Sequence, residues 1–222
     1  GEAQGVRLTY FTEREPLGTA GAVKACMDFL GEEDFLVVSG DAVCDLDLKS
    51  AMEFHASRRG AATLVLYRHP RPLEYGLVLT NPSGRVERFI EKPGWGEVFT
   101  NMVNTGIYLL SRRAMDAVPA GRPWDFGRDL FPTLLVGGAE LYGFAPKGYW
   151  CDMGDCAAYL DCTAAALERK VRLDMGLPMA APGIWCAGAL PRGVELTPPC
   201  WLGPGVEVGE GSLIGPHVVL GA

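Results

Sequence analysis

The chain is 222 residues long, 48% hydrophobic and 21% charged, which bounds it to one sizeable core plus a smaller module and excludes disorder as its default state. Its formal net charge of -7 and pI near 5.0 argue against nucleic acid or an anionic membrane surface as the main partner, while leaving room for a local basic pocket that binds phosphates. Seven cysteines form an odd set without a CxxC pair, which fits neither a zinc site nor a disulfide framework and points to a reducing cytoplasm. No apolar run approaches the roughly 18 residues that cross a bilayer, and GEAQGVRLTY lacks the regions of a signal peptide. The chain opens without methionine, so a piece of a longer protein is the expectation.

In chain order, Val23, Cys26, Met27 and Leu30 recur at helical spacing, with Thr19 as cap and Gly31 as stop. Phe35 to Ser39 reads as a buried strand that runs into a Gly40-Asp41 turn. Asp47 is positioned to cap a helix in which Leu48, Ala51, Met52 and His55 share a face, and Ala62 to Tyr67 follows as a β-rich run. Leu77 to Thr80 and Val86 to Ile90 flank Asn81-Pro82-Ser83-Gly84, the composition of a hairpin turn. Val103 to Leu110 supplies a strand, Phe126 to Leu135 a short helix interrupted by Pro132, Leu141 to Ala145 a strand, and Cys156 to Lys170 an alanine-rich helix. Helices and strands alternating in this way predict an α/β class.

Beyond Met179 the period changes. Ile184, Leu190, Leu196, Leu202, Val208, Ile214 and Leu220 fall at every sixth position, and from Leu202 onward each is followed by glycine. This is the pattern of a left-handed β-helix of hexapeptide repeats, with aliphatic residues inside and glycine at the corners. The expected division is 1–176 for the α/β domain and 177–222 for the start of the β-helix. A repeat still running at the chain end is expected to continue, to meet a further C-terminal domain, or to pack in a homo-oligomer.

Several residues are candidates for chemistry, each with a plainer reading beside it. Leu17-Gly18-Thr19-Ala20-Gly21 is small and glycine-rich before a helix, suited either to backbone approach on a flat ligand or to simple capping. Asp41 follows a strand, where a carboxylate can hold magnesium or satisfy a turn. Glu91-Lys92 pairs an acceptor with a cation at a strand end, or is ordinary surface. Trp150 reads as core before ligand contact, Asp45 and Asp47 as turn and cap, and the three histidines show no metal spacing.

Four strings taken together, EPLGTAGAVK, SGDAV, EKP followed by NTGIYLL, and GYWCDMGD, spread over residues 15 to 155 and followed by the six-residue repeat, resemble the sugar-1-phosphate nucleotidyltransferases. The flavour is that of the branch similar to mannose-1-phosphate guanylyltransferases. The resemblance implies a Rossmann-like nucleotide-diphospho-sugar transferase domain with a mixed sheet. Its substrates would be a nucleoside triphosphate and a hexose 1-phosphate, leaning to GTP and mannose 1-phosphate, with Mg2+ as cofactor. By resemblance, Asp41 and Asp152 are the metal ligands and, with Lys92, the catalytic set. Leu17, Gly18, Thr19, Ala20 and Gly21 bind the nucleobase, and Tyr75, Gly76, Glu91, Asn104 and Thr105 bind the sugar. The reaction implied is in-line attack of a sugar-phosphate oxygen on the α-phosphorus with pyrophosphate leaving, driven by positioning and charge neutralisation.

The family's opening strand and Gly-rich phosphate loop, with its arginine and the later basic residue in a Pro-Lys-Pro context, do not occur before Glu15-Pro16. Two other classes stay open: a catalytically silent regulatory or assembly subunit of the same family, and a hexapeptide acyltransferase, which would need a catalytic histidine setting that His217 lacks. The 222-residue chain alone is expected not to carry out nucleotidyl transfer at a useful rate. Turnover by the purified chain with magnesium, triphosphate and sugar 1-phosphate would refute this.

Overall fold

The computed structural model of the protein describes residues 1–221; the last residue of the expected 177–222 module lies outside them. The helices are α1 (Gly18–Ala25), α2 (Met27–Leu30), α3 (Leu48–Arg58), α4 (Phe131–Val136) and α5 (Cys156–Leu167). The strands of the α/β part are β1 (Phe35–Val38), β2 (Ala42–Cys44), β3 (Ala62–Arg68), β4 (Leu77–Thr80), β5 (Val86–Ile90), β6 (Met102–Leu110), β7 (Leu141–Phe144) and β8 (Trp150–Asp152). Six short strands follow: β9 (Met179–Ala181), β10 (Ile184–Cys186), β11 (Glu195–Leu196), β12 (Cys200–Leu202), β13 (Leu213–Ile214) and β14 (Val218–Leu220). Two compact units result, residues 1–39 with 47–146, and residues 40–46 with 147–222. No helix among the described residues is long and apolar enough to cross a membrane.

The first unit is a mixed sheet in the order β5-β4-β6-β3-β7, with β1 also on β6. β3 runs antiparallel to β6 and parallel to β7. β6 organises the sheet because β3 takes one of its edges, while the other is shared by β4 at its start, through Leu77 opposite Val103, and by β1 at its end, through Phe35 opposite Leu110. Between them β6 is interrupted by Gly106, which has φ 76°, and the β3 register slips there, from Leu64–Tyr108 to Leu66–Asn104. A residue in this left-handed region breaks the ladder as a bulge does. Leu64, Leu110, Met115, Leu130, Phe131 and Leu141 fill the core on one face.

Local chemistry explains most boundaries. Asp47 caps α3, its Oδ1 accepting the Ser50 N–H at 3.1 Å, and Asn81 Oδ1 accepts the amides of Ser83 and Arg85 in the β4–β5 turn, with Gly84 at φ 85°. Thr19 is not the cap of α1. Leu17 holds that place, and the Thr19 hydroxyl donates instead to Asp125 Oδ1 at 3.1 Å while accepting the Phe126 N–H at 3.0 Å, so a non-local partner displaces the local one. The expected single helix to Leu30 breaks at Cys26. β1 is not the fully buried strand expected: Phe35 and Val37 are half-buried on the core face, while Leu36 and Val38, the latter 48% exposed, point away from it. Met52 is exposed while Ala51 and His55 are buried, which narrows the apolar stripe of α3. The expected short helix over Phe126 to Leu135 forms in two parts, a π-helical turn over Phe126–Leu130 running directly into α4, and the change falls beside Pro132, the second residue of α4.

The second unit joins the β2–β8 ribbon to α5 and the six short strands. Asp45 fastens it: its carboxylate accepts the Tyr149 N–H at 2.6 Å and the Arg172 N–H at 2.8 Å, and pairs with Arg172 Nε at 3.3 Å. All seven cysteines are free. Beyond Met179, β10, β12 and β14 stack as a parallel ladder, with β11 on β13 beside it. Leu202 meets Leu220 and Leu196 meets Ile214, eighteen positions on in both cases, which is three six-residue steps. The first turn of the stack differs, since Cys186 rather than Ile184 lies under Leu202 and the offset is sixteen. Leu190 is 37% exposed rather than internal. The glycines that follow the aliphatic residues are not the left-handed corners either. Those fall three positions after an aliphatic, at Gly193, Gly205, Gly211 and His217. Gly203 is small for another reason: a Cβ there would lie 3.0 Å from the Trp201 ring and 3.1 Å from the Leu220 carbonyl.

The hydrogen bonds from Tyr149 and Arg172, ahead of the Arg172 charge, hold the Asp45 carboxyl below the usual aspartate range. A depressed folded-state value stabilises above the ordinary aspartate pKa and is lost as pH falls through it. Asp45→Asn is therefore expected to lower Tm at pH 7 by roughly 3–6 °C, and the gap to the wild type should close on acidification below about pH 4. A pH-independent gap in a melting series would contradict this.

Candidate functional site

The forked edge of β6 creates the site in the first unit. Where β4 and β1 part company, Asn104 N donates to Gly76 O at 2.8 Å on one side and Ser39 N donates to Gly106 O at 3.2 Å on the other. A cavity of about 360 Å³ opens there. Asn104, Gly106 and Tyr108 form its β6 wall, Glu91 and Lys92 a second, and Thr19 with Asp125 to Arg128 a third. The sequence-predicted Glu91, Lys92 and Asn104 are thus brought together.

Glu91 occupies a narrow slot. A Cβ on Gly76 would lie 2.7 Å from its Oε2, and one on Gly127 would collide with the same atom. Burial pushes the Glu91 carboxyl above the usual range, against the opposing pull of Lys92 and Arg128, with Asp125 adding to the rise. Lys92 itself has φ 44°, a left-handed conformation that a non-glycine residue adopts at a cost. Asn104 donates from Nδ2 to the Tyr108 hydroxyl at 2.9 Å and accepts the Gly106 N–H on Oδ1 at 3.3 Å.

Other predicted residues lie differently. Thr105 is 3% exposed and its hydroxyl donates to Val65 O at 2.7 Å, so its side chain is spent inside the sheet. Tyr75 does not line the cavity; its ring packs edge-on against His69 at 4.8 Å. In the Leu17–Gly21 segment, the amides of Ala20 and Gly21 both donate to Trp124 O, at 2.8 and 3.0 Å, and that of Thr19 donates to Asp125 Oδ1 at 3.3 Å. Leu17 N donates to Glu13 Oε2, which leaves Gly18 as the one amide of the five with no partner among the described residues.

Asp41 and Asp152 belong to the second unit. There β2 pairs antiparallel with β8 in a register that sets Ala42 opposite Asp152, so the two carboxylate-bearing residues sit one position apart across the ribbon. Trp150 is buried in the same ribbon, as core. No cluster of three or more His, Cys, Asp or Glu able to hold a metal occurs among the described residues. A pair of carboxylates would suit magnesium, which takes one or two protein carboxylates and fills its remaining positions with water and phosphate oxygens.

Sequence reasoning missed Tyr108, Asp125, Gly127 and Arg128. Tyr108 was absorbed into an apolar strand pattern. PWDFGRDLFP carries only a helix-start signal, and nothing in it announces that Gly127 clears space for a carboxylate more than thirty residues earlier.

A family model described as nucleotidyl transferase matches residues 1–169. The chain is 33% identical over 217 residues to the mannose-1-phosphate guanylyltransferase of Mycobacterium tuberculosis, covering 97% of this chain and 58% of that one. It is 29% identical over 238 residues to the UTP–glucose-1-phosphate uridylyltransferase of a Synechocystis strain, covering 99% and 61%. It therefore spans about six-tenths of the length of these curated relatives. Among solved structures, HddC from Yersinia pseudotuberculosis superposes with a TM-score of 0.55 at 28% identity, over 67% of this chain and 62% of that one.

A carboxyl whose folded-state pKa is raised favours the folded state most when protonated, and that contribution is lost as pH climbs from the ordinary glutamate value through the raised one. Glu91→Gln, which mimics the protonated form, is expected to melt above the wild type at pH 8 and level with it near pH 4. Equal melting temperatures at both pH values would show that the slot imposes no desolvation cost.

Proposed function

Because the chain belongs to the nucleotidyl transferase family, we propose that it is the part of a sugar-1-phosphate nucleotidyltransferase that holds the hexose 1-phosphate, with a lean to GTP and mannose 1-phosphate. The observation that carries this is the cavity in which the half-buried Glu91 carboxylate, Lys92 and Asn104 converge beside the left-handed Gly106. The guanylyltransferase name of the 33% relative supports the lean, and the uridylyltransferase name of the 29% relative marks the alternative.

In this reading Lys92 binds the sugar phosphate and offsets its charge, Glu91 accepts hydrogen bonds from ring hydroxyls, and Asn104 offers both a donor and an acceptor to the ring. Arg128, on the third wall of the cavity, adds positive charge where the phosphate would sit. Leu17–Gly21 would face the base through Gly18, the position whose amide is not already engaged. Asp41 and Asp152 would hold Mg2+, which supplies charge neutralisation on phosphate oxygens when bound. The sugar-phosphate oxygen attacks the α-phosphorus in line and pyrophosphate leaves, so the protein's task is to hold the two reactants in register rather than to form a bond to either.

The stacked strands of residues 184–220 fit the first coils of a left-handed β-helix of hexapeptide repeats, given the eighteen-residue offsets.

Thermal shift and titration calorimetry test the reading. The wild type should be stabilised by mannose 1-phosphate at millimolar concentration, and more weakly by glucose 1-phosphate. Lys92→Ala should abolish both shifts, and Asp41→Asn with Asp152→Asn should remove any effect of magnesium on nucleotide binding. No response to any hexose 1-phosphate would overturn the proposal; a response to glucose 1-phosphate alone would overturn the lean to mannose.

A further inference from the structure

Tyr108 lies at the floor of the cavity, 5% exposed, and the proposed function gives it nothing to do. Its ring is fixed on two sides, with the centroid of Phe126 at 4.8 Å and that of Phe131 at 4.9 Å, the latter edge-on. The hydroxyl is therefore the only adjustable part, and it meets Asn104 Nδ2 at 2.9 Å. The other end of that carboxamide faces the Gly106 N–H at 3.3 Å. A backbone N–H can only donate, so the atom facing it must be Oδ1, and the atom facing Tyr108 must be Nδ2. The phenol oxygen is then an acceptor toward Asn104 and keeps its own proton for another partner. Burial, with the nearby Glu91 and Asp125 carboxylates adding to it, raises the phenol far above its ordinary range, so that proton is retained.

We infer that Tyr108 is a positioning residue: the Gly106 N–H sets the polarity of the Asn104 amide, the Tyr108 hydroxyl clamps its Nδ2 end in place, and the held amide sets which arrangement of hexose hydroxyls the cavity accepts. This rests on the proposed function for the identity of the ligand. The physical step does not depend on it. An asparagine amide is nearly symmetric in shape and a hydroxyl pairs with either end of it, so the donor-only Gly106 N–H decides the polarity and a second partner is needed to keep the amide from rotating away from that bond. Gly106 supplies the direction through a bond of 3.3 Å, and Tyr108 supplies the shorter anchor at 2.9 Å. Epimeric hexoses differ in the direction of a single hydroxyl, so a wall with fixed polarity discriminates between them and a wall that can flip discriminates less.

Tyr108→Phe keeps the ring and its contacts with Phe126 and Phe131 and removes only the hydroxyl. In the full 222-residue chain, titrations with mannose 1-phosphate, glucose 1-phosphate and inorganic phosphate should show the ratio of the two sugar affinities falling by about fivefold or more, the range that one hydrogen bond commands. Inorganic phosphate, which needs Lys92 and not Asn104, should bind as in the wild type. The Asn104 side-chain amide should give a single resolved pair of NMR signals in the wild type and a broadened or doubled pair in Tyr108→Phe. An unchanged epimer ratio overturns the inference, and so does an unchanged carboxamide signal. If neither sugar phosphate binds the wild type, the ligand assignment fails, and the carboxamide signal still decides whether Tyr108 orients Asn104.

Discussion

A single left-handed residue in the middle of β6 shapes the first unit. Gly106 at φ 76° lies where the ladder to β3 slips, and on the other edge it faces the parting of β4 and β1. Any side chain there would meet two obstacles, the unfavourable backbone region and the Ser39 Cβ 3.0 Å from a new methyl. An uninterrupted strand would pair along its whole length and leave no opening. The interruption opens Asn104 and Tyr108 to the cavity from the interior of a sheet, where rigid neighbours hold them, so its β6 wall stands on a strand and not on a loop.

The electrostatics of the two units follow a common logic. Asp45 is surrounded by donors and is stabilised as an anion, which suits a fastening role between Tyr149 and Arg172. Glu91 is walled in by two glycines and the Phe89 ring and is destabilised as an anion, although cations lie near it. A structural carboxylate is given every bond it can accept. One that is kept short of bonds is in a position to form them with something else.

Much of this was legible in the sequence where local chemistry decides the outcome. Asp47 as cap, the Asn81–Gly84 turn and the extents of β3, β4, β5 and β6 follow from side-chain bonds and alternation within a few residues. What escaped is what two distant segments decide jointly. Thr19 looks like a cap until Asp125 competes for its hydroxyl, and the amides of Ala20 and Gly21 look available until Trp124 is folded against them. Thr105 beside Asn104 is polar in the sequence, but the pleat turns it to the Val65 carbonyl. Gly127 has no local role at all; its meaning is the space it leaves for Glu91.

The parallel ladder of β10, β12 and β14 separates two kinds of repetition that a string of letters merges. Six-residue spacing is unbroken from Ile184 to Leu220 along the chain, yet the stack is sixteen residues deep in its first turn and eighteen in its second. Homologous alignments of this segment that keep a gapless six-residue frame will place Ile184 over Leu202, although the residue beneath Leu202 is Cys186. Residue columns there should be drawn from the ladder. Substitution patterns collected on that footing would compare side chains that share a layer, and the cysteine at the first rung would then be read as an interior residue and not as an insertion.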